Sequence, residues 1–344
     1  MGTIHFLSLT DPGYSRSWTY FMGLKAMGVK SSYTQIKKPY KESLLQLKAQ
    51  ILDKDEVVVT SPSHLLAIYA RFILKRAVIL DAGWSLFEGE VISRKSFGFL
   101  GIRAARTYLI DLFANHLAKT IFVETDLQKR YYKKLFFLPA EKVRVLYTGL
   151  DEESFTSVAK PTNYTPPDKS YFSVLFRGKY NLEAGLDVLS EATEILKYEK
   201  IYFSVFAPGI PSSISFPENV KVYTGQLTKA EIAYLLRNAD LSLGQLSNNP
   251  RLARTIPHKA YESAFCGTPY LTARSSGVME IFSENELLTF DPGSASDLAT
   301  QILRISKISD LRKNTGETMR RKYDETTSQD ILTQRFLKQI GKEI

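Results

Sequence analysis

The chain has 344 residues, 44% hydrophobic and 24% charged, which suits two domains with a cleft between them and excludes a disordered, fibrous or membrane-spanning protein. Its single cysteine, Cys266, excludes an intrachain disulfide and a cysteine-based zinc cage, and favours a reducing compartment. The net charge of +9 is carried by one half: residues 1–150 hold 22 Lys and Arg against 12 Asp and Glu, a net of +10, and the rest hold 23 against 24, a net of −1.

The basic residues of the first half come as scattered pairs such as Lys37-Lys38, Lys75-Arg76, Arg94-Lys95 and Lys133-Lys134, without a zinc-finger or RNP-type pattern. Nucleic acid is therefore not an expected partner. Attraction to an anionic membrane surface or an acidic acceptor is the functional reading, and plain solvated helix faces are the alternative. No apolar run reaches the roughly 20 residues of a transmembrane helix, and the first residues pass into a strand pattern without a signal-type core. The expected setting is the cytoplasm, with peripheral contact at the inner face of the membrane as the extension of the charge argument.

In chain order, Ile4–Leu9 is a short apolar run closed by Thr10-Asp11-Pro12-Gly13, and Trp18 to Met27 then carries a helical apolar period. Val57-Val58-Val59-Thr60, Ala77 to Asp81 and Thr120-Ile121-Phe122-Val123 are further buried strands bounded by turn chemistry such as Ser61-Pro62-Ser63. Lys142 to Asp151 reads as a last strand of the first domain, and the Pro-rich segment Lys160–Lys169 as a linker. The strand and helix alternation then restarts. Tyr171–Phe176, Ile201–Ala207, Val220–Val222, Leu241–Leu243 and Tyr270–Ala273 read as strands, and Leu186–Lys197, Lys229–Asn238, Pro257–Cys266 and Asp297–Ile305 as helices. The predicted fold class is α/β, with two doubly wound, Rossmann-like domains over residues 1–158 and 159–325. A helix over 326–344 is expected to pack back on the first domain.

Four local patterns occur in order along the chain. They are Val143 to Phe155; Leu175-Phe176-Arg177-Gly178-Lys179 with Glu183-Ala184-Gly185-Leu186-Asp187; Tyr223-Thr224-Gly225-Gln226-Leu227 with Glu231 and Asn238-Ala239-Asp240; and Glu262-Ser263-Ala264-Phe265-Cys266-Gly267-Thr268-Pro269 with Ser276-Gly277 and Glu280. Together they resemble the retaining glycosyltransferases of the GT-B fold, in particular the GT4-type (glycosyltransferase group 1) family. The resemblance implies a first domain that binds the acceptor and a second that holds a nucleotide-sugar donor, with no cofactor and no essential metal. It also implies that Gly13, Gly178 and Glu280 lie against the donor.

The last pattern can also be read from its residues. Pro257 suits a helix start, where a missing N–H costs nothing, and Gly267 suits the left-handed position that ends one. A helix N-terminus concentrates unpaired N–H groups and positive potential, which suits a diphosphate, and Lys259 adds a point charge. Glu262, three residues on, can accept ribose hydroxyl hydrogen bonds; a surface Lys–Glu pair is the alternative. Lys179, at a strand exit after Gly178, can reach the departing phosphates, and Arg177 can take the same catalytic role. Two positions depart from the family. Arg254 stands where the family commonly has a Glu, and Ala184 where it has a Lys, so Arg254 is assigned to the donor, on its phosphates or on an acidic sugar.

In the first domain, Arg16 at the first helix, Asp81 at a strand end and Trp84 just beyond are the candidate acceptor contacts, Trp84 as a flat surface for a sugar ring. A loop-bracing Asp and a buried Trp are the alternatives. His5, His64, His116 and His258 lack metal-ligand spacing, and His5 reads as core. The expected activity is retaining transfer of a hexose from a nucleotide sugar to a saccharide or lipid-linked acceptor, in the synthesis of a surface polysaccharide or glycoconjugate. Two rivals stand beside it: a sugar-nucleotide epimerase of the same fold, which needs paired acid and base groups at the donor, and a non-catalytic nucleotide-sugar-binding subunit, suggested by Arg254 and Ala184.

Overall fold

The structure is a computed structural model that describes residues 2–10, 16–60, 62–93, 95–96, 98–99 and 101–342. The chain divides into two units. Unit 1 comprises Met1–Asp151 with Ser328–Ile344, and unit 2 comprises Glu152–Thr327. Unit 1 runs β1 (Ile4–Ser8), α1 (Arg16–Ala26), β2 (Ser31–Gln35), α2 (Tyr40–Lys48), β3 (Glu56–Val59), α3 (His64–Ile73), β4 (Ile79–Gly83), α4 (Ile102–Leu117), β5 (Thr120–Val123), α5 (Asp126–Phe136) and β6 (Val143–Val145), with a π-helix at Glu88–Ser93. Unit 2 runs α6 (Glu153–Thr156), β7 (Phe172–Arg177), α7 (Leu186–Ile195), β8 (Ile201–Phe206), β9 (Val220–Tyr223), α8 (Lys229–Arg237), β10 (Leu241–Leu243), α9 (His258–Cys266), β11 (Tyr270–Ala273), β12 (Leu288–Phe290), α10 (Ala295–Lys307) and α11 (Ser309–Thr326). Short 3-10 turns lie at Pro250–Arg254 and Val278–Glu280, and α12 (Gln329–Gln339) returns to unit 1.

Each unit holds a six-stranded parallel sheet, in the orders β2-β1-β3-β4-β5-β6 and β12-β11-β10-β7-β8-β9. In unit 1 the strands alternate between two cores with the period of a pleated strand. Leu7, Val57, Val59, Leu80, Ile121 and Val123 pack with Leu66, Ala67 and Ala114 of α3 and α4. Ile4, Phe6, Val58, Ile79 and Phe122 pack with Tyr20 and Leu24 of α1 and with Leu332 and Phe336 of α12. The step from β1 to β2 runs opposite to the steps from β3 to β6, so right-handed crossovers put α1 on the face away from α3–α5. The same reversal, between β1 and β3 in one sheet and between β7 and β10 in the other, opens a crevice at the carboxyl ends of the strands, where doubly wound sheets bind ligands.

Two sequence expectations change. The Pro-rich segment is packed into unit 2, where Tyr164 is buried with its ring 5.8 Å from Phe206 and 5.6 Å from Tyr223. Of the stretch from Lys142 to Asp151, only Val143–Val145 is strand. The sequence also holds a Ser-His-Asp contact that its spacing hides: His5 Nδ1 meets Ser32 Oγ at 2.8 Å and Nε2 meets Asp55 Oδ2 at 3.2 Å. It lies at the amino ends of β1 and β2, opposite the ligand edge, and Asp55 also accepts the Thr3 and Leu52 amides at 2.7 and 2.8 Å. This is a stitch between strand starts.

Helix α12 sits on α1 where Gly23 leaves room: a Cβ there would lie 2.0 Å from Thr333 Oγ1. Gly23→Ala is expected to cost about 1–3 kcal/mol by overpacking, read as a lower calorimetric Tm, with part of the loss recovered when Thr333→Ala is added. An unchanged Tm in the single variant would place α12 elsewhere.

Candidate donor site

The crevice of unit 2 is built by the ends of β7 and β10 and by the start of α9. Strand β7 delivers Phe176, Arg177 and Gly178 in succession. Arg177 is 8% exposed, and a guanidinium cannot shed its charge, so its burial requires an anion. Glu262 of α9, 7% exposed, supplies it: Arg177 Nη2 donates to Glu262 Oε2. His258, one turn earlier on the same helix, holds the other oxygen, Nδ1 to Oε1, at 3.1 Å. Burial alone pushes the Glu262 carboxyl up, but the Arg177 charge and the hydrogen bonds from His258 and Arg177 outweigh it and hold the group well below the usual range. A carboxylate has about four lone-pair sites, so two hydroxyl donors can still be accepted.

Lys259 stands beside this pair. Its ammonium donates to the Gly244 carbonyl at the end of β10 at 3.1 Å and lies 4.5 Å from the centre of the Phe176 ring. Burial, and then the Arg177 charge, lower its pKa to about 7, with Glu262 pulling the other way. A Cβ at Gly178 would come within 3.3 Å of Nζ, so glycine there leaves the ammonium its place. Helix α9 begins at Pro257, which offers no capping side chain, so its first N–H groups keep their positive potential. It ends at Gly267 with φ 68°, and Ala260, Tyr261, Ala264 and Phe265 are buried behind it.

The other expected donor residues lie on the segments just after β7, just before α9 and just after β11. Lys179 is exposed just past Gly178. Arg254 closes the 3-10 turn of Pro250–Arg254, and Glu280 closes that of Val278–Glu280. The two turns are in contact, because a Cβ at Gly277 would fall 2.4 Å from the Thr255 carbonyl oxygen. Ala184 is 2% exposed and packed in the core of unit 2, so that position has no room for a phosphate-binding lysine. Its neighbour Glu183 instead pairs with Arg251 at 2.7 Å. Gly13 lies outside the described residues. Sequence reading missed His258 and Gly244; the spacing of four between His258 and Glu262 was the available signal for the first. It also missed a cavity of about 400 Å³ lined by Tyr164, Phe206, Tyr223, Gly225 and Gln226, where the Phe206 and Tyr223 rings stack at 4.5 Å beyond the ends of β8 and β9.

In unit 1 two of the expected acceptor residues, Arg16 and Asp81, meet at the corresponding sheet edge. Arg16 Nε pairs with Asp81 Oδ1 at 2.7 Å and Ser17 Oγ donates to Asp81 Oδ2 at 2.6 Å, all three buried. Burial raises the Asp81 pKa against the pull of Arg16 and Ser17. Both residues thus tie the start of α1 to the end of β4. The Trp84 indole lies against Gly89, where a Cβ would fall 2.1 Å from the ring. Behind them His64, fully buried, faces Asp111 at 3.8 Å, and Asp111 accepts from Ser85 Oγ at 2.6 Å and from the Phe87 amide at 2.9 Å. Among the described residues no group of three or more His, Cys, Asp or Glu could hold a metal ion, and no helix is long and apolar enough to cross a membrane.

Residues 188–337 match the family described as glycosyl transferase-like. No curated protein sequence matches the chain. Among solved structures, HepE of Anabaena in complex with UDP-glucose is 13% identical, with a TM-score of 0.74 over 99% of this chain and 100% of that one. Sucrose-phosphate synthase of Thermosynechococcus elongatus is 12% identical, at 0.74 over 99% and 98%. An alpha,alpha-trehalose-phosphate synthase (UDP-forming) of Burkholderia vietnamiensis is 10% identical, at 0.65 over 98% and 96%. The two sheets of this chain match these GT-B structures in fold.

Two measurements test the charge arrangement. Glu262→Gln leaves Arg177 buried beside a neutral partner and is expected to lower stability by roughly 2–4 kcal/mol. Because the Glu262 pKa is depressed on folding, its contribution is full above the ordinary value of 4.5 and is lost as pH falls below it. Thermal unfolding between pH 7 and 3 should therefore show a loss in the wild type that is smaller in Glu262→Gln, and parallel curves would contradict the assignment. Lys259 predicts the opposite sign for an anionic ligand. A diphosphate binds the ammonium form, so above about pH 7 binding should take up a proton and weaken by up to tenfold per pH unit. Calorimetry of UDP binding in buffers of different ionisation enthalpy reads that uptake directly, and Lys259→Met should abolish it.

Proposed function

We propose that the chain is a GT-B glycosyltransferase that moves a hexose from a UDP-sugar held in unit 2 to a saccharide or lipid-linked acceptor bound by unit 1, with retention at the anomeric carbon. The observation that carries the reading is the buried Arg177–Glu262 pair with Lys259 at the β7/β10 crevice, inside or beside the stretch that matches the family. UDP is favoured over other nucleotides because HepE binds UDP-glucose and the Burkholderia synthase is UDP-forming.

The assignments follow from charge and position. Lys259, Arg177 and the start of α9 hold the diphosphate, which gains negative charge as the glycosidic bond breaks, so these cations act most strongly in the transition state. Lys179, exposed at the strand exit, reaches the same phosphates as the second catalytic cation. Glu262 orients the ribose through its free lone pairs, and the cavity at Phe206 and Tyr223 takes the base. Glu280 and Gly178 face the sugar and phosphates, and Arg254 adds a cation near them. In unit 1, Arg16 and Asp81 fix the edge on which the acceptor sits, and Trp84 offers it an apolar plane. Transfer then rests on orientation and charge stabilisation, with the leaving diphosphate itself drawing the acceptor proton.

The test is a thermal-shift panel of UDP-, GDP-, ADP- and TDP-sugars followed by assay of UDP release. The expected result is a shift with UDP-glucose or a close relative and turnover lowered about ten- to a thousandfold by Lys179→Ala. A shift with no release or transfer under any acceptor would support a binding subunit instead. Full turnover in Lys179→Ala would make that lysine a surface residue.

A further inference from the structure

A run of exposed apolar side chains lies on the helix layer of unit 1. Among residues that the structure describes, Ile102 (90% exposed), Leu109 and Phe113 stand on the outward side of α4 at spacings of seven and four, so they form one stripe down the helix. Phe72 and Tyr69 are exposed on the neighbouring α3, and Phe137 (79%) on the left-handed turn that ends α5. Burying these side chains elsewhere was open to the sequence, since each helix has a separate buried face: Leu66, Ala67 and Ala70 on α3, Ala104 and Ala114 on α4.

The exposed charge on α3 and α4 has one sign, and the one exposed acid of α5, Asp126, lies at its start, away from the end that carries Phe137. Helix α3 has no acidic residue, and the only one on α4, Asp111, is buried against Ser85 and the Phe87 amide. Arg103 and Arg106 are exposed on α4, Lys75 just after α3, and Arg130 and Lys134 on α5. The stripe on α4 thus interleaves Ile102, Arg106, Leu109 and Phe113. A docked protein partner or second copy of this chain would bring its own charges to that surface. The surface itself would repel a second copy of itself.

We propose that the outer face of α3, α4 and the end of α5 is a docking surface for an anionic lipid bilayer, with Leu109, Phe113 and Phe137 entering the headgroup boundary and the arginines and lysines held at the phosphates. Helices that lie on membranes combine an apolar face with flanking cations and little acid, which is the pattern here. The surface extends the reading of a lipid-linked acceptor and rests on it only for its purpose, since the lipid contact can be measured without the reaction. Two attractions act together: apolar insertion, insensitive to salt, and counterion-screened attraction that fades over a Debye length of about 8 Å at physiological salt.

The test uses the full chain, co-sedimented with vesicles of phosphatidylcholine alone or mixed with phosphatidylglycerol, at low and high salt. Binding is expected only to the anionic vesicles. The double variant Arg103→Glu and Arg106→Glu should lower partitioning by at least about twenty-five-fold, at roughly fivefold for each basic residue. The double variant Leu109→Ser and Phe113→Ser, at exposed positions, should weaken it further at high salt than at low. Both variants should keep the wild-type thermal shift with UDP, which separates this proposal from the donor assignment. Wild-type protein left in the supernatant with anionic vesicles at low salt would overturn the proposal. So would undiminished binding in the Leu109/Phe113 variant, which would mean a purely electrostatic polyanion contact, or a dimer in light scattering that those two substitutions dissociate.

Discussion

One ion pair organises the crevice of unit 2. Arg177 at the end of β7 and Glu262 on α9 are both nearly inaccessible, and neither could be buried without the other. A buried pair of this kind is weak as a source of stability, because desolvation cancels most of the attraction. Two leucine-sized residues would pack the same space at similar or lower cost. Its retention at a sheet switch point, with a third ionisable group in Lys259 whose ammonium is penalised by the same burial, fits a site in which charge is stored for a ligand. Burial and the neighbouring Arg177 charge both disfavour the Lys259 ammonium, and Glu262 alone favours it.

Unit 1 uses similar chemistry to a different end. Arg16 and Asp81 also form a buried pair at the carboxyl edge of a doubly wound sheet, but Ser17 and the neighbouring backbone complete it, and its partners lie on α1 and β4. His64, Asp111 and Ser85 extend the buried polar layer behind it. Such a layer fixes the relative placement of strand ends and helix starts with directional contacts, which apolar packing alone does not do. Unit 2 therefore carries two clustered cations against one carboxylate at its sheet edge, and unit 1 a braced pair.

Much of this was legible in the sequence. The apolar strands β1, β3, β5, β7, β8 and β10 declared themselves as short runs, and Pro257 and Gly267 bounded α9 to within a residue. Strand β2, Ser31–Gln35, was not visible, because it is a half-buried edge strand whose residues are mostly polar. The Pro-rich stretch read as a linker because composition cannot reveal that Tyr164 packs among Phe206 and Tyr223. At the site, Glu262, Lys259 and Arg177 were found as separate candidates, but their pairing spans 85 residues and depends on sheet order, so no local pattern encodes it. Asp81 was read as a group facing the acceptor; its contacts with Arg16 and Ser17 span more than sixty residues, so no local pattern encodes them. The departure at Ala184 was visible as a letter; only its burial in the core explains why a lysine does not stand there.

The most direct measurement is a crystal structure of the protein with UDP. The account predicts the diphosphate at the β7/β10 crevice, within hydrogen-bonding distance of Lys259 and the start of α9, with the ribose on Glu262 and the base toward Phe206 and Tyr223. UDP bound with its phosphates away from Arg177 and Lys259, or bound to unit 1, would contradict it.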